Sequence, residues 1–82
     1  MSVSEHMKNF LEEYPAMLKE GKWCSGDQWY DIEDMSPKWI RNVINYLEQT
    51  VKPAYAFNER SEEEKKIAEI INAKIAEFKS YL

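Results

Sequence analysis

The chain has few of the residues on which catalysis, metal binding or cofactor binding usually depends. It holds one cysteine, one histidine and two glycines in 82 residues. A lone cysteine cannot form an intramolecular disulfide, which favours a cytosolic protein. Catalysis by a Cys-His pair needs a third, orienting group, and His6 and Cys24 are predicted on different elements. No zinc-ligand set and no phosphate-binding glycine loop is present. We therefore expect a protein that is not an enzyme and has no metal or cofactor.

Long apolar runs and basic runs are also missing. The apolar runs are too short for a transmembrane helix, and the start of the chain lacks the apolar segment of a secretory signal. No basic run could follow a phosphate backbone, so nucleic acid is not expected as the main partner. The formal net charge is −4 and 44% of the residues are hydrophobic. These values predict a soluble, cytoplasmic protein with one small domain spanning residues 1–82.

The most regular pattern in the chain lies between residues 36 and 51. Ser36 is suited to capping a helix, and Pro37 follows at the first helical position, where a missing N–H costs nothing. Trp39 and Tyr46 fall on one edge of the apolar face. Lys52-Pro53 is expected to end the helix, because proline disfavours helical geometry in the preceding residue. The apolar face has helical spacing and consists of Ile40, Val43, Ile44, Leu47 and Val51.

The remaining segments complete a mainly α fold. A helix is predicted at about 4–19, and Pro15 either kinks it or makes it stop near Glu13 and restart. Gly26 within the three-residue connection Ser25-Gly26-Asp27 predicts a β-hairpin at about 22–32, with its aromatic side chains packed on the helices. Residues 53–60 read as a loop. Ser61 and Glu64 form a capping box ahead of a last helix at about 62–81. The prediction is three helices, at about 4–19, 37–51 and 62–81, with one short hairpin.

Four carboxylates occur within eight residues after the hairpin turn. They do not have the spacing of a calcium-binding loop, so a solvated acidic edge is the expected role. Asp34 is placed to assist the start of the following helix through the helix dipole. The four residues are Asp27, Asp31, Glu33 and Asp34.

Residues 22–49 resemble small uncharacterised bacteriophage proteins. These proteins carry a short hairpin that ends in an acidic-Met pair, followed by a helix of the form Trp/His-Ile-x-Asn-x-x-x-x-Leu-Glu. Here the pair is Asp34-Met35, and Trp39 stands where histidine is more usual. The resemblance implies no particular activity. The matching positions are Trp29 to Met35, Trp39-Ile40, Asn42, Ile44 and Leu47-Glu48.

Two functions fit these patterns. The first is a non-catalytic interaction protein that modulates or inhibits a host protein, as an anti-defence or host-takeover factor does. Tryptophan and tyrosine dominate interface hot spots, and local negative charge speeds the encounter with a basic partner. The alternative is sequestration of a small molecule or nucleotide by stacking on aromatic rings, with polar contacts from Lys38, Arg41, Asn42 or Asn45. The residues predicted to bind a partner protein are Trp29, Tyr30, Asp31, Glu33, Asp34 and Trp39.

The last helix carries an apolar arc wider than one core contact requires. Steps of three and four residues within it give a short coiled-coil seam, which predicts a homodimer with the last helices paired. The alternative is a monomer in which the first two helices straddle the third. The seam residues predicted for self-association are Ile71, Ile75, Phe78 and Leu82.

Overall fold

A computed structural model describes residues 5–56 and 61–82. The fold is mainly α with one antiparallel hairpin, as predicted, and 73% of the described residues are helical. In chain order the regular elements are α1 (Glu5–Glu13), β1 (Lys22–Ser25), β2 (Gln28–Asp31), α2 (Pro37–Tyr46), α3 (Lys52–Ala56) and α4 (Glu62–Lys79).

Pro15 divides the first predicted helix in two, which was one of the two outcomes that the sequence allowed. α1 stops at Glu13, and Tyr14 takes a non-helical conformation with φ −125° and ψ 69°. A residue before proline avoids helical geometry, so the chain restarts as a 3-10 helix over Pro15–Leu18. Gly21, with φ +74°, then turns the chain into β1. This φ lies in the left-handed region, which glycine adopts without steric cost.

The hairpin is tighter than predicted, because only Gly26 and Asp27 connect the two strands. Gly26 has a positive φ of 62°, which glycine adopts without steric cost. Trp23 is buried and meets the ring of Phe78 edge-on at 5.4 Å. This contact packs the hairpin against α4. The strand partners are Lys22 with Asp31, Trp23 with Tyr30, Cys24 with Trp29, and Ser25 with Gln28.

The central helix does not end before Pro53, and that prediction was wrong. After α2 the chain makes a π-helical turn over Leu47–Val51 and continues as α3 through Pro53 to Ala56. Proline clashes with the carbonyl four residues earlier in a regular α-helix. The N–H of Lys52 bonds to the carbonyl of Leu47, five residues back, so the helix widens immediately before the proline. Residues 53–56 are therefore helical, whereas 57–60 lie outside the described residues.

The N-terminal caps of α2 and α4 are the ones predicted from the sequence. The Ser36 hydroxyl accepts a hydrogen bond from the Trp39 N–H at 3.2 Å, and the Ser61 hydroxyl accepts one from the Glu64 N–H at 3.1 Å. Each cap satisfies one of the free amides of a first helical turn. None of the helices in the described residues is long and apolar enough to cross a lipid bilayer.

The seam predicted for self-association is mostly part of the core. Ile71 and Phe78 are fully buried and Ile75 is 6% exposed, whereas Leu82 is 55% exposed. The remaining helices and the hairpin cover the wide arc of α4, which corresponds to the alternative in which neighbouring helices flank it. Three of the four residues therefore lack the exposed surface on which the dimer interpretation depended. The core also includes Phe10, Ile32, Ile40, Leu47, Val51 and Ile67.

Candidate protein-binding surface

Three acidic side chains stand close together where the hairpin meets α2; we call Asp31, Glu33 and Asp34 the acidic turn. Asp31 ends β2, and the short 3-10 helix Ile32–Asp34 that follows carries Glu33 and Asp34. Ile32 is fully buried and Met35 is 6% exposed, so core side chains anchor the turn at both sides. Glu33 and Asp34 are exposed. The backbone thus holds two carboxylates in solvent in a fixed position.

The acidic turn creates a local negative potential that acts on Lys22. The Lys22 ammonium forms an ion pair and hydrogen bond with Asp31 across the hairpin. This hydrogen bond is the main reason why the pKa of Lys22 is raised, and the negative charges of Glu33 and Asp34 raise it further. Lys22 therefore neutralises Asp31 in part, while the other two carboxylates remain available to a partner.

Two of the predicted aromatic residues lie together. The Tyr30 ring contacts the Trp39 ring edge-on, with ring centroids 4.9 Å apart and an interplanar angle of 77°. Both side chains are half-buried. The Tyr30 hydroxyl donates to the side-chain oxygen of Gln28 at 3.0 Å. This pair joins β2 to α2 and also presents apolar surface.

Trp29 lies on the opposite face of the hairpin from Tyr30, because successive side chains of a strand alternate. It shares its face with Cys24 and the Lys22–Asp31 pair. Trp29 is 46% exposed and borders a hollow of about 420 Å³ together with Lys19 and Lys22. The predicted residues are close together in the chain, but Trp29 and Tyr30 project from opposite faces of the hairpin.

A groove of about 550 Å³, which we call the β1 groove, lies beside this surface. The sequence pointed to its Trp39 as a partner-binding residue and to its Asn42 as a small-molecule contact, but it did not predict the groove. Tyr46 was placed only on one edge of an apolar helical face, and its contact with Tyr14 across the fold has no local sequence signal. The β1 groove is lined by Glu12, Glu13, Tyr14, Pro15, Trp23, Cys24, Ser25, Gly26, Trp39, Asn42, Val43 and Tyr46.

Polar contacts among tyrosines close one wall of the β1 groove. The hydroxyl oxygens of Tyr14 and Tyr46 are 2.9 Å apart, and the Tyr55 hydroxyl donates to the Glu13 carboxylate. Burial, followed by the bond to Tyr46, raises the pKa of Tyr14. The bond to Glu13, followed by burial, raises the pKa of Tyr55 to about 12. Both hydroxyls are therefore neutral at physiological pH.

The residues considered for small-molecule binding do not converge in the described structure. Asn42 lines the β1 groove, while Lys38, Arg41 and Asn45 are exposed and do not belong to its lining. No lysine or arginine is among the lining residues, so the groove offers no cation to a phosphate group. The alternative of nucleotide sequestration gains no support from this geometry.

His6 and Cys24 lie on different elements, and each contacts a backbone carbonyl group. His6 lies on α1, and its Nε2 is 2.8 Å from the carbonyl oxygen of Tyr55. The Cys24 thiol on β1 is 3.4 Å from the carbonyl oxygen of Gly26. Within residues 5–56 and 61–82, no three histidine, cysteine or acidic side chains are grouped so that they could hold a metal ion.

Comparison with known proteins gives no further guidance. No protein-family model matches the sequence, and no curated protein or solved structure shows significant similarity to it.

Proposed function

We propose that the chain is a non-catalytic module that binds a protein with a basic surface and thereby modulates or inhibits it. The observation that carries the proposal is the acidic turn, whose two exposed carboxylates are held in place by buried Ile32 and Met35. A fixed local charge steers a complementary partner without the entropic cost of ordering a loop on binding.

Aromatic surface adjoins this charge on both faces of the hairpin. Trp29 is exposed on one face, and the edge-on pair of Tyr30 and Trp39 is half-buried on the other. Rings of this kind supply most of the affinity at protein interfaces, while nearby charges set the encounter rate and the specificity. The proposed contact is therefore aromatic at its centre and acidic at its edge.

The resemblance to bacteriophage proteins extends the proposal to a host protein as the partner, in the host cytoplasm. Capture from a bacterial lysate, identification of the captured protein and measurement of its affinity after purification would test this. We expect the double variant Glu33→Lys/Asp34→Lys to bind the purified partner at least about tenfold more weakly, mainly through slower association. Trp29→Ala should speed dissociation instead.

The matched control is Glu62→Lys/Glu69→Lys, which changes the net charge equally on exposed positions of α4. Its Glu62→Lys change also reverses a negative charge near the start of a helix, as Asp34→Lys does. If the two double variants weakened binding equally, net charge rather than the acidic turn would explain the interaction. Full affinity in the Glu33→Lys/Asp34→Lys variant would place the binding surface elsewhere.

A further inference from the structure

One edge of the hairpin borders the β1 groove. The N–H of Ile32 bonds to the carbonyl of Gly21 at 3.0 Å, which makes this a hydrogen-bonded pair of the antiparallel ladder. Such pairs alternate with pairs that exchange no backbone hydrogen bonds. From the observed register, Trp23–Tyr30 and Ser25–Gln28 are hydrogen-bonded pairs, whereas Cys24–Trp29 is not. The backbone N–H and C=O of Cys24 therefore point away from β2, along the outer edge of β1.

This outer edge is a wall of the β1 groove, because residues 23–26 all contribute to its lining. A strand edge with outward-pointing amide and carbonyl groups is a template for an added strand. Peptide-binding domains use such edges by accepting an extended segment of the partner as an additional strand. Pro15, the end of α1 and part of α2 also line the groove, so other elements border the space beside β1.

The negative charge of the groove favours a basic segment as the added strand. Glu12 and Glu13 belong to the lining, and no lysine or arginine does. Glu12 is well exposed and is 4.0 Å from Lys8, so its charge is only weakly compensated. The Glu13 carboxylate accepts a hydrogen bond from the Tyr55 hydroxyl. A lysine or arginine side chain entering the groove would meet both carboxylates.

Aromatic rings provide a second contact for the same side chains. Trp39 and Tyr46 of α2 and Tyr14 at the end of α1 line the groove. Tyr46 is 43% exposed, so its ring is accessible from solvent. Cations bind over the faces of tryptophan and tyrosine rings, with arginine favoured. A segment with lysine or arginine at alternate positions would place those side chains along one face of the added strand.

We propose that the β1 groove binds an extended, lysine- or arginine-containing segment of a partner protein as a third strand along β1. The inference rests on the proposed function only in that the partner is a protein. The segment and the acidic turn are separate contacts, because Asp31, Glu33 and Asp34 are not among the residues that line the groove. The backbone of Cys24 pairs with the segment, while Glu12, Glu13 and the aromatic rings hold its cationic side chains.

The first test uses short random peptides displayed on particles and selected on the immobilised chain. We expect the selected sequences to be enriched in lysine or arginine alternating with apolar residues. A selected peptide is then synthesised with N-methyl groups at either its odd or its even positions. Only alternate amides of an added strand face β1, so one pattern should weaken binding by about tenfold or more and the other should not. Equal loss with both patterns, selection of acidic or helical sequences, or selection of no peptide would overturn the proposal.

The second test uses variants of the chain with the same peptide. The Cys24 N–H is outside the hairpin ladder, so Cys24→Pro removes an outward donor at a position where an edge strand tolerates proline. It should abolish peptide binding, whereas Cys24→Val should preserve it. Circular dichroism checks that the Cys24→Pro variant is folded. Glu12→Gln gives an independent measurement, because it keeps the backbone and should weaken binding about threefold to tenfold at low salt.

Variants of the acidic turn separate this inference from the proposed function. Glu33→Lys/Asp34→Lys should leave peptide binding nearly unchanged, because neither residue lines the groove. Loss of peptide binding in that variant but not in Cys24→Pro or Glu12→Gln would overturn strand addition while supporting the acidic turn. The reverse pattern would support strand addition even if the acidic turn bound nothing. Concentration-dependent self-association that depends on the Cys24 N–H would instead identify a second copy as the occupant and overturn a basic partner segment.

Discussion

The hydroxyl oxygens of Tyr14 and Tyr46 lie 2.9 Å apart, although 32 residues separate them in the chain. Tyr14 directly follows α1, and Tyr46 is the last residue of α2. The contact therefore links the ends of two helices at the rim of the β1 groove. Tyr55 from α3 packs against Tyr14, with ring centroids 6.0 Å apart and perpendicular rings. Three helices thus meet through tyrosines at one side of the fold.

The Tyr55–Glu13 hydrogen bond should make stability sensitive to alkaline pH. The folded-state pKa of Tyr55 is raised to about 12, compared with about 10 in an unfolded chain. Between these values the folded state retains a proton that the unfolded state has lost, so stability should fall as pH rises from about 10. The stabilising contribution is complete below pH 10. Absorbance at the tyrosinate band and denaturant unfolding across this range would measure both effects.

Tyr55→Phe should flatten that decline, although it should lower stability by about 1 kcal/mol at neutral pH through the lost hydrogen bond. Part of the alkaline decline should remain, because the pKa of Tyr14 is also raised. Tyr30→Phe is the matched control, since its hydroxyl binds the uncharged amide of Gln28. An unchanged pH dependence in Tyr55→Phe would show that Glu13 does not hold the Tyr55 proton.

Replacing Ile75 with glutamate should unfold the chain. Ile75 is 6% exposed, and a buried carboxylate without a partner costs more than a small domain can tolerate. Leu82→Glu is the matched control, because Leu82 is 55% exposed and should change stability by less than about 0.5 kcal/mol. Circular dichroism and sedimentation equilibrium distinguish the outcomes. A folded Ile75→Glu monomer obtained from a dimeric parent would restore the seam interpretation.

Pro53 should lower the stability of the central helix. Proline is about 3 kcal/mol less favourable than alanine in a helix interior, and here it follows a π-helical turn. Pro53→Ala should therefore raise the free energy of unfolding, by up to that amount. Pro37→Ala is the control with the opposite sign, since Pro37 occupies the first turn of α2. Its loss should cost about 0.4–1 kcal/mol through a less restricted unfolded chain. A lower melting temperature for Pro53→Ala would contradict this expectation and would mean that the π turn relieves the proline clash completely.

Pro15 and Pro53 show where local sequence is sufficient to predict the end of a helix and where it is not. At Pro15 the preceding residue, Tyr14, leaves the helical region, so local geometry alone stops α1. At Pro53 the same local rule fails, because buried Val51 and Ala56 keep the helix packed on both sides of the proline. Burial of these side chains outweighs a preference of a few kcal/mol. Such an outcome depends on tertiary contacts that periodicity does not encode.

The two candidate surfaces also differ in how far the sequence alone could predict them. Acidic residues and aromatics adjacent in sequence identified the acidic turn, because it is one continuous segment. The β1 groove combines residues 12–15, 23–26 and 39–46, which only the fold brings together. Alternation along β2 also separates Trp29 from Tyr30, although the two are neighbours in the chain. Spatial grouping, rather than composition, decides which aromatic residues can act together.

The buried Lys74 is a further residue that the apolar pattern of α4 did not reveal. Its ammonium donates to the carbonyl of Lys19 and to the carboxylate of Glu77, both at 2.7 Å. The side chain is 3% exposed, and its Nζ lies 5.9 Å from the centre of the Phe78 ring. A lysine stem can pack as an apolar chain when its charge finds partners. The bond to Lys19 fastens the turn after the 3-10 helix Pro15–Leu18 to α4, whereas the bond to Glu77 lies within α4.

Glu77→Ala should therefore be more damaging than Lys74→Met. The first leaves a buried ammonium without its counter-charge and should cost about 1.5–3 kcal/mol. The second removes the charge and keeps a stem of similar shape, so it should cost clearly less, as replacement of a buried ion by an apolar group often does. Glu69→Ala, at an exposed position of α4, is the control and should stay within about 0.5 kcal/mol of the parent. Urea unfolding measures all three. Equal losses in Lys74→Met and Glu77→Ala would contradict this expectation, because neutralisation of the buried charge would then not be the main contribution of the contact.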